Sequence, residues 1–365
     1  MSELRLGIDD FLQRNWQREH LYIPASISDF TPPIDANDLA GLAMEAEADA
    51  RIVFATNEGW QQQRGPFSSD DFQRPGAWTL LVQQVDRYWQ SVAALQVFCN
   101  FLPDWRFDDV LMSYATDGGS AAPHFDRYDV FIVQGDGQRR WQIGEFCDST
   151  TPVVDDGELM TLRDFEPREE YILSTGDVLY IPPGCSHYGV SLGESTSFSL
   201  GFRAPRVSDL LARWADSALE GLSDTQLYED RGRAALSHPG EITSEDCARG
   251  IAQLEILLKS GDKRWFGEAV THIDFSPEPQ DMPPLSENLH FRRDPDARLA
   301  WAEQCDQCLL FANGESLPLP IEFKALLLSL CDKERQLLGA WFEIDQHEAR
   351  AAVSWLWELG AISFD

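Results

Sequence analysis

The chain has 365 residues, too many for one ordinary domain and enough for two or three. With 61 acidic side chains against 29 basic ones, its formal net charge of −32 excludes nucleic acid and anionic lipid as natural partners and favours a basic one. No apolar run reaches the length of a membrane span, the first residues are acidic where a secretory signal is basic, and seven scattered cysteines give no disulfide framework, so the sequence reads as that of a cytoplasmic protein.

Residues 8–25 read as a helix followed by a strand, with Phe11, Leu12 and Trp16 on one helical face. Amphipathic spacing predicts further helices over 37–48 and 84–102. From residue 105 the pattern changes to short β runs broken by Gly and Pro. Strands are expected at 110–115, 129–134, 139–143, 171–173, 177–181 and 196–202, with Gly135-Asp136-Gly137 turning the chain so that 139–143 is a return strand. Many short strands with frequent turns predict an antiparallel sandwich or barrel.

After Pro205 the β signal stops. A helical stripe follows Ser208 as N-cap, and a second helix follows Ser244. Residues 276–296 hold five prolines and read as a linker. The tail predicts a hairpin at Asn313-Gly314, a helix over about 321–331, a last helix behind an Asp345/Glu348 capping box, and a closing strand at 362–364. Cys305 and Cys308 form one CxxC without a second ligand pair nearby, so they read as two reduced thiols on a helix and not as a zinc site.

Chemistry concentrates in the β-rich part. Histidine is scarce, with seven in the chain. In extended backbone, residues two apart share a face, so His124 and Asp126 aim an imidazole and a carboxylate at one point. His187 follows Ile181-Pro182-Pro183-Gly184, where a strand exits into a turn at the barrel rim. Two histidines and a carboxylate make the facial triad of non-haem Fe(II) oxygenases, which leaves three adjacent positions for a chelating keto acid and O₂. A bare HxD with a distant His also arises by chance, as surface or core histidines. Such a keto acid needs a cation for its far carboxylate. Arg139 and Arg140 are adjacent, so alternation lets only one face inward; both could instead be surface charges on an edge strand.

Taken together, Pro103-Asp104-Trp105-Arg106 with Asp108-Asp109, PHFDRYDVFIVQGDGQRRW (123–141), GDVLYIPPGCSHYG (176–189) and FSLGFRAP (198–205) resemble the JmjC-type oxygenases of the cupin superfamily. The closest resemblance is to the bacterial ribosomal-protein arginine hydroxylases, whose substrate is large-subunit ribosomal protein sixteen. FLQRNWQ (11–17) and DLAGLAME (38–45) extend the resemblance over essentially the whole chain. It implies an α+β protein: a double-stranded β-helix (jelly-roll, cupin) barrel with a helical preface at 1–205, a helical dimerisation segment at 206–275, the Pro-rich linker at 276–296, and a small winged-helix-like domain at 297–365.

The resemblance also implies that His124, Asp126 and His187 are Fe(II) ligands and the catalytic centre. It makes Arg139 the grip on the distal carboxylate of 2-oxoglutarate, with Ser113 and Ser199 as further polar contacts and O₂ as the other co-substrate. The expected activity is hydroxylation of the β-carbon of an arginine in a basic ribosomal protein by a homodimer that does not bind nucleic acid or membrane. The alternatives are histidine hydroxylation, N-methyl demethylation, or a non-catalytic role in ribosome assembly. Asp117 and Tyr128 are candidates for holding the substrate guanidinium. Two departures from the family pattern are Arg18-Glu19-His20, where a proline is usual, and Ser197-Phe198, where an Asn-aromatic pair is common.

Overall fold

A computed structural model describes residues 4–154, 161–223, 225–236, 238–260, 264–273, 281–332 and 335–364. The chain divides into two compact units, Met1–Ala204 and Pro205–Asp365.

The first unit begins with α1 (Ile8–Arg14), which buries Phe11, then β1 (Leu21–Ile23) and α2 (Ala36–Leu42). Asp35 caps α2 by accepting from the Asn37 and Asp38 amides, and the Asp38 carboxylate accepts the Asp35 N–H in return. Three strands follow that the sequence analysis does not anticipate: β2 (Ala50–Thr56), β3 (Gly59–Arg64) and β4 (Trp78–Val82). β4 is buried at every position, so it carries no period-2 signal.

The helix expected over 84–102 is broken. Gln84 is left-handed (φ 56°) and Trp89 extended, leaving only the short α3 (Gln90–Ala93) between 3₁₀ turns at 85–87 and 94–99. The barrel strands are β5 (Phe107–Ala115), β6 (Asp129–Gln134), β7 (Gln138–Phe146), β8 (Val153–Val154), β9 (Thr161–Leu162), β10 (Glu169–Ser174), β11 (Val178–Ile181), β12 (Cys185–Leu192) and β13 (Ser195–Phe202).

Eight strands form one antiparallel sheet in the order β1-β11-β6-β13-β5-β4-β2-β3, and three form a second, β10-β7-β12. β7 therefore does not return along β6 as expected. The Gly135–Gly137 turn carries the chain from the first sheet to the second. Gly137 fits because its φ is 71° and any Cβ would lie 2.1 Å from the Glu194 carbonyl oxygen.

The two faces of the large sheet divide the residues by alternation. Val110 and Met112 of β5, Phe131 and Val133 of β6, and Phe198, Leu200 and Phe202 of β13 join Phe11 in the main core. Each such fully buried side chain contributes about 1.5–3 kcal/mol. The other face lines a cavity that contains the candidate site. The start of β6 is fixed by Asp129, fully buried, which accepts from Tyr180 Oη (2.5 Å), Arg106 (2.8 Å) and Gln17 (3.2 Å).

The second unit contains α4 (Val207–Gly221), α5 (Ser244–Ser260) and α6 (Arg264–Thr271). It continues with β14 (His290–Arg293), β15 (Leu299–Gln304), β16 (Gln307–Ala312) and β17 (Glu315–Pro320). Then come α7 (Lys324–Cys331), β18 (Gln336–Leu337), α8 (Leu338–Phe342), α9 (Gln346–Glu358) and β19 (Ile362–Phe364). The N-cap of α4 is Arg206, not Ser208, and Thr243 precedes α5 in a reciprocal hydrogen-bond pair with Asp246.

Of the expected linker, 276–280 lies outside the described residues, and His290–Arg293 is a strand paired with β18 and β19. The Asn313-Gly314 hairpin forms as expected, both residues having positive φ. Cys305 and Cys308 belong to the β15–β16 hairpin and not to a helix. Asp345 caps α9 through the His347 and Glu348 amides. α6 packs on the β15–β17 sheet, with Gly267 so close to the Phe311 ring that a Cβ would lie 2.3 Å from it. No described helix is long and apolar enough to cross a membrane.

Candidate active site

His187 is the third residue of β12, and not in a turn as the sequence suggests. His124 precedes β6 and forms an isolated antiparallel bridge with it: each backbone N–H donates to the other's carbonyl, at 3.1 and 2.8 Å. That bridge brings the imidazoles to 4.3 Å between ring centroids. Gly184 N–H donates to the Asp126 carbonyl at 2.7 Å, holding the Pro-Pro-Gly turn against the HxD segment. Asp126 Oδ2 lies 3.6 Å from His187 Nε2. The ligand atoms of His124, Asp126 and His187 all lie within 4.8 Å of one another.

Both imidazoles are set in the same way. Nδ1 of His124 donates to the Ala122 carbonyl (2.9 Å) and Nδ1 of His187 to the Cys185 carbonyl (3.0 Å), which leaves both Nε2 lone pairs for a metal. Burial, then the neighbouring His124, push the His187 imidazole down to about 4, so it is neutral and available as a ligand at neutral pH. Two imidazoles and a carboxylate, with no thiolate among them, fit Fe(II). Trp141 packs beside His187, its ring centroid 5.8 Å away, and occupies the space that a side chain at Gly189 would need.

Deeper in the barrel, the two adjacent arginines separate as alternation requires. Arg140 points outward toward Glu170, whereas Arg139 is buried. Its guanidinium crosses to the large sheet and donates to Ser113 Oγ (2.9 Å), Ser197 Oγ (3.0 Å) and Ser195 Oγ (3.1 Å). Among the described residues, no carboxylate pairs with it. Burial alone depresses its pKa, to about 10. A buried guanidinium held by three hydroxyls and the Ser195 carbonyl (3.4 Å), with no counter-charge among them, is a site prepared for an anion. Ser113 is thus found on the cation, and Ser199 two residues from Ser197 on the same cavity-lining face. Ser195 and Ser197 were missed as partners of Arg139. Their signal was the same alternation that pairs Ser197 with Ser113 across β13 and β5.

Toward its mouth the cavity carries a buried acid. Along β5, Ser113, Leu111 and Asp109 face inward; along β13, Ser197, Ser199 and Gly201 do. The register pairs Ser113 with Ser197 and Leu111 with Ser199. Between Leu200 and Phe202 it slips, so Asp108 and Asp109 together oppose Gly201, a bulge at the cavity rim. Asp109 is four residues from Ser113, about 13 Å along the strand at ~3.3 Å per residue. Burial, then Asp108 and Asp86, raise its carboxyl to about 7, against the Gln84 N–H donated to it at 3.0 Å.

Tyr128 is close to both this carboxylate and the triad. The charge of Asp126, then burial and the charge of Asp109, hold its phenol well above the usual range. Asp109 belongs to a stretch that carries the family resemblance, but the sequence reading assigned it no role in the site. Asp117, expected here, instead accepts the Gly193 N–H at 2.8 Å and does not line the cavity.

A JmjC-domain model matches residues 94–210 and a ROXA-like winged-helix model residues 262–362. The chain is 36% identical over 288 residues to the Escherichia coli ribosomal protein uL16 3-hydroxylase, covering 77% of each. This chain belongs to the JmjC ribosomal-oxygenase family. It also matches solved structures of the E. coli ribosomal oxygenase YcfD over all of both chains. The TM-score is 0.81 both for the complex with cobalt and 2-oxoglutarate (30% identity) and for that with cobalt and succinic acid (31%). The winged-helix match starts at 262, so the boundary expected at 297 falls inside it.

Proposed function

We propose that this protein is an Fe(II)- and 2-oxoglutarate-dependent dioxygenase that hydroxylates an arginine side chain, at its β-carbon, of large-subunit ribosomal protein uL16. The observation that carries the reading is a cavity that holds a His124-Asp126-His187 cluster, with Arg139, buried among serines, at the floor and Asp109, its carboxyl raised by burial and by Asp108 and Asp86, toward the mouth, and Tyr128 close to both Asp109 and the cluster. In this reading His124, Asp126 and His187 hold the iron. Arg139 binds the far carboxylate of 2-oxoglutarate with help from Ser113, and Ser199 lines the space between the two charged ends.

Fe(II), when bound, supplies the oxidative chemistry that couples O₂ and decarboxylation of 2-oxoglutarate to succinate and CO₂ with hydroxylation of an unactivated C–H bond. The residues supply everything else. The Nδ1–H bonds of both histidines fix which nitrogen faces the metal. Arg139 and its serines fix the co-substrate by its remote end. Asp109 takes the substrate guanidinium, whose charge relieves the cost of a buried carboxylate. The side-chain carbons behind that guanidinium then lie toward the triad. Leu111, Val130 and Ile132 make the intervening wall apolar and exclude water.

The same proposal assigns residues 1–205 as the oxygenase domain. It includes a cytoplasmic homodimer formed through α4 and α5, supported by exposed Val207, Leu211, Leu219, Ile251, Leu254 and Ile256 on helices otherwise rich in charge. It includes no direct nucleic-acid binding, supported by the net charge of −32. Asp109 favours arginine over histidine as the target, because a guanidinium keeps its charge at pH 7 and above and imidazole does not. The test is mass spectrometry of uL16 from cells with and without this protein. A gain of one oxygen on a single arginine, dependent on the protein and absent with Asp126→Ala, supports the reading. Unmodified uL16 in both strains contradicts it.

A further inference from the structure

Three arginines line the cavity, Arg51, Arg127 and Arg139, against two carboxylates, Asp109 and Asp126. In the chain as a whole the balance is the reverse, with 29 basic side chains against 61 acidic ones. With acids so abundant, an arginine at the surface readily finds one: Arg64 pairs with Asp49 and Arg203 with Asp108. Among the described residues, Arg51 and Arg127 pair with none.

Arg51 stands directly opposite Arg64 across β2 and β3, and like charges so placed destabilise a strand pair. Its Nε is buried and makes no hydrogen bond. No contact among the described residues therefore favours a cation at this position. The register shows where it lies. Arg51 pairs with Leu81 and Leu81 with Ser113, so Arg51 shares a transverse row with Ser113, two strands or about 10 Å away. Ser113 is a hydroxyl that receives Arg139. Arg127 directly follows Asp126 and is exposed, Arg51 is half-buried and Arg139 is buried. The three mark a path of positive charge from solvent to the cavity floor.

The co-substrate 2-oxoglutarate is a dianion and has to approach a protein of net charge −32. Unpaired charges of one sign at a cleft focus the local field and raise on-rates by about 10- to 10³-fold. At physiological salt the Debye length is about 8 Å, so charges lining the entrance act on an anion there while most of the molecule's acids are screened. We propose that Arg127 and Arg51 form an electrostatic entry path that draws the 2-oxoglutarate dianion past the acidic surface to Arg139, and that neither holds it once it is bound. The inference rests on the reading above and deepens it.

The experiment is stopped-flow association of 2-oxoglutarate with the full chain loaded with Fe(II) under anaerobic conditions, followed by the visible absorbance of the iron–keto acid chelate. Arg51→Gln combined with Arg127→Gln should slow association about 10-fold at physiological salt, and each single substitution less. The dissociation rate should stay within about twofold of wild type, since a rim charge acts on the on-rate and its salt dependence. In wild type the entrance attracts and the rest of the surface repels, so the rate should change little with salt. In the double variant only repulsion remains, so its rate should rise with salt and meet that of wild type at about 1 M, where the Debye length is about 3 Å. Arg51→Lys combined with Arg127→Lys should keep the wild-type rate, because the path needs the charge and not the guanidinium fork.

A double glutamine variant that associates at the wild-type rate at low salt overturns the proposal. So does one that slows equally at every salt concentration, or whose lost affinity lies in dissociation, since the two arginines would then be contacts of the bound co-substrate. Should Arg51→Gln not fold, the exposed position decides alone through Arg127→Gln and Arg127→Glu: slowing that grows from the first to the second and closes at high salt supports the proposal, and unchanged rates overturn it. A wild-type protein that forms no chelate with 2-oxoglutarate overturns the underlying reading instead.

Discussion

The two ends of the cavity are built from the same two strands and differ in sign. At the floor, Ser113 and Ser197 face a buried arginine that has no carboxylate partner among the described residues; at the other end, Asp109 and Gly201 stand at the same two strands' next-but-one positions, and Arg203 only partly offsets the burial and the neighbouring acids that raise the Asp109 carboxyl. Each end carries a buried charge whose solvation cost is incompletely met by the protein, and each is completed by a ligand of opposite charge. Regular alternation suffices at the floor, whereas the mouth has a bulge that sets two acids of β5 opposite one residue of β13. Two neighbouring strands, with Arg139 reaching across from the other sheet, can thus orient two substrates of opposite charge, one toward each end of the cavity.

Neither end should work without what lies between them, and this gives the largest expected effect. Asp126→Ala removes one of three ligands and should lower metal affinity by more than the ~10- to 100-fold typical of losing a residue that only supports a ligand. Hydroxylation should fall below detection while the thermal midpoint stays near wild type. Metal titration followed by activity assay checks this, and near-normal turnover would show that the three residues are not the ligands.

The floor comes next. Arg139→Ala should weaken 2-oxoglutarate by roughly 2–5 kcal/mol, the cost of truncating one partner of a buried charge pair. Arg140→Ala, on the outer face, should change it little. Equal effects would break the contrast between the two faces of β7.

A smaller effect sharpens the mouth. Burial and the neighbouring acids put the Asp109 carboxyl at about 7 in the free protein, and a bound guanidinium lowers that value. Binding the cation therefore expels a proton below pH 7. Peptide affinity should be full above about pH 7 and fall by about tenfold per pH unit below it, while Asp109→Asn should bind more weakly and without that slope. Calorimetry at pH 8, 7 and 6 measures it, and a flat wild-type profile would remove Asp109 from the site.

The smallest effect concerns the surface. If the charge of −32 steers a basic ribosomal protein, its association rate should fall as salt rises, with a Debye length of about 8 Å at physiological strength. Binding of 2-oxoglutarate, itself an anion, should not show the same loss. Stopped-flow association across a salt series compares them, and parallel salt dependence would argue against steering.

Much of this was legible in the sequence, for identifiable reasons. The metal cluster is written into local spacing: residues two apart in an extended segment, and a histidine after a Pro-Pro-Gly turn. Only the element carrying His187 was misjudged, a strand in place of a turn. After residue 105, β5, β6, β7, β10, β11 and β13 and helices α4, α5, α7 and α9 follow from period and turn residues, whereas β12, β14, β15, α6 and α8 do not.

What was not legible is cross-strand register. Ser195 and Ser197 look like ordinary strand hydroxyls until β13 is laid beside β5 and Arg139 reaches across from the other sheet. Asp109 looks like one acid among 61 until the bulge and burial single it out. β4 gave no signal because both its faces are covered. The helix expected over 84–102 failed because apolar spacing says nothing about a left-handed Gln84 or an extended Trp89.

The account stands or falls on the independence of the two charged ends. Calorimetric titration of Arg139→Ala and Asp109→Asn with both ligands, 2-oxoglutarate and the uL16 peptide, tests it directly. The account predicts that Arg139→Ala loses 2-oxoglutarate and keeps the peptide, and that Asp109→Asn does the reverse. Loss of the same ligand by both variants, or of both ligands by either, would contradict it.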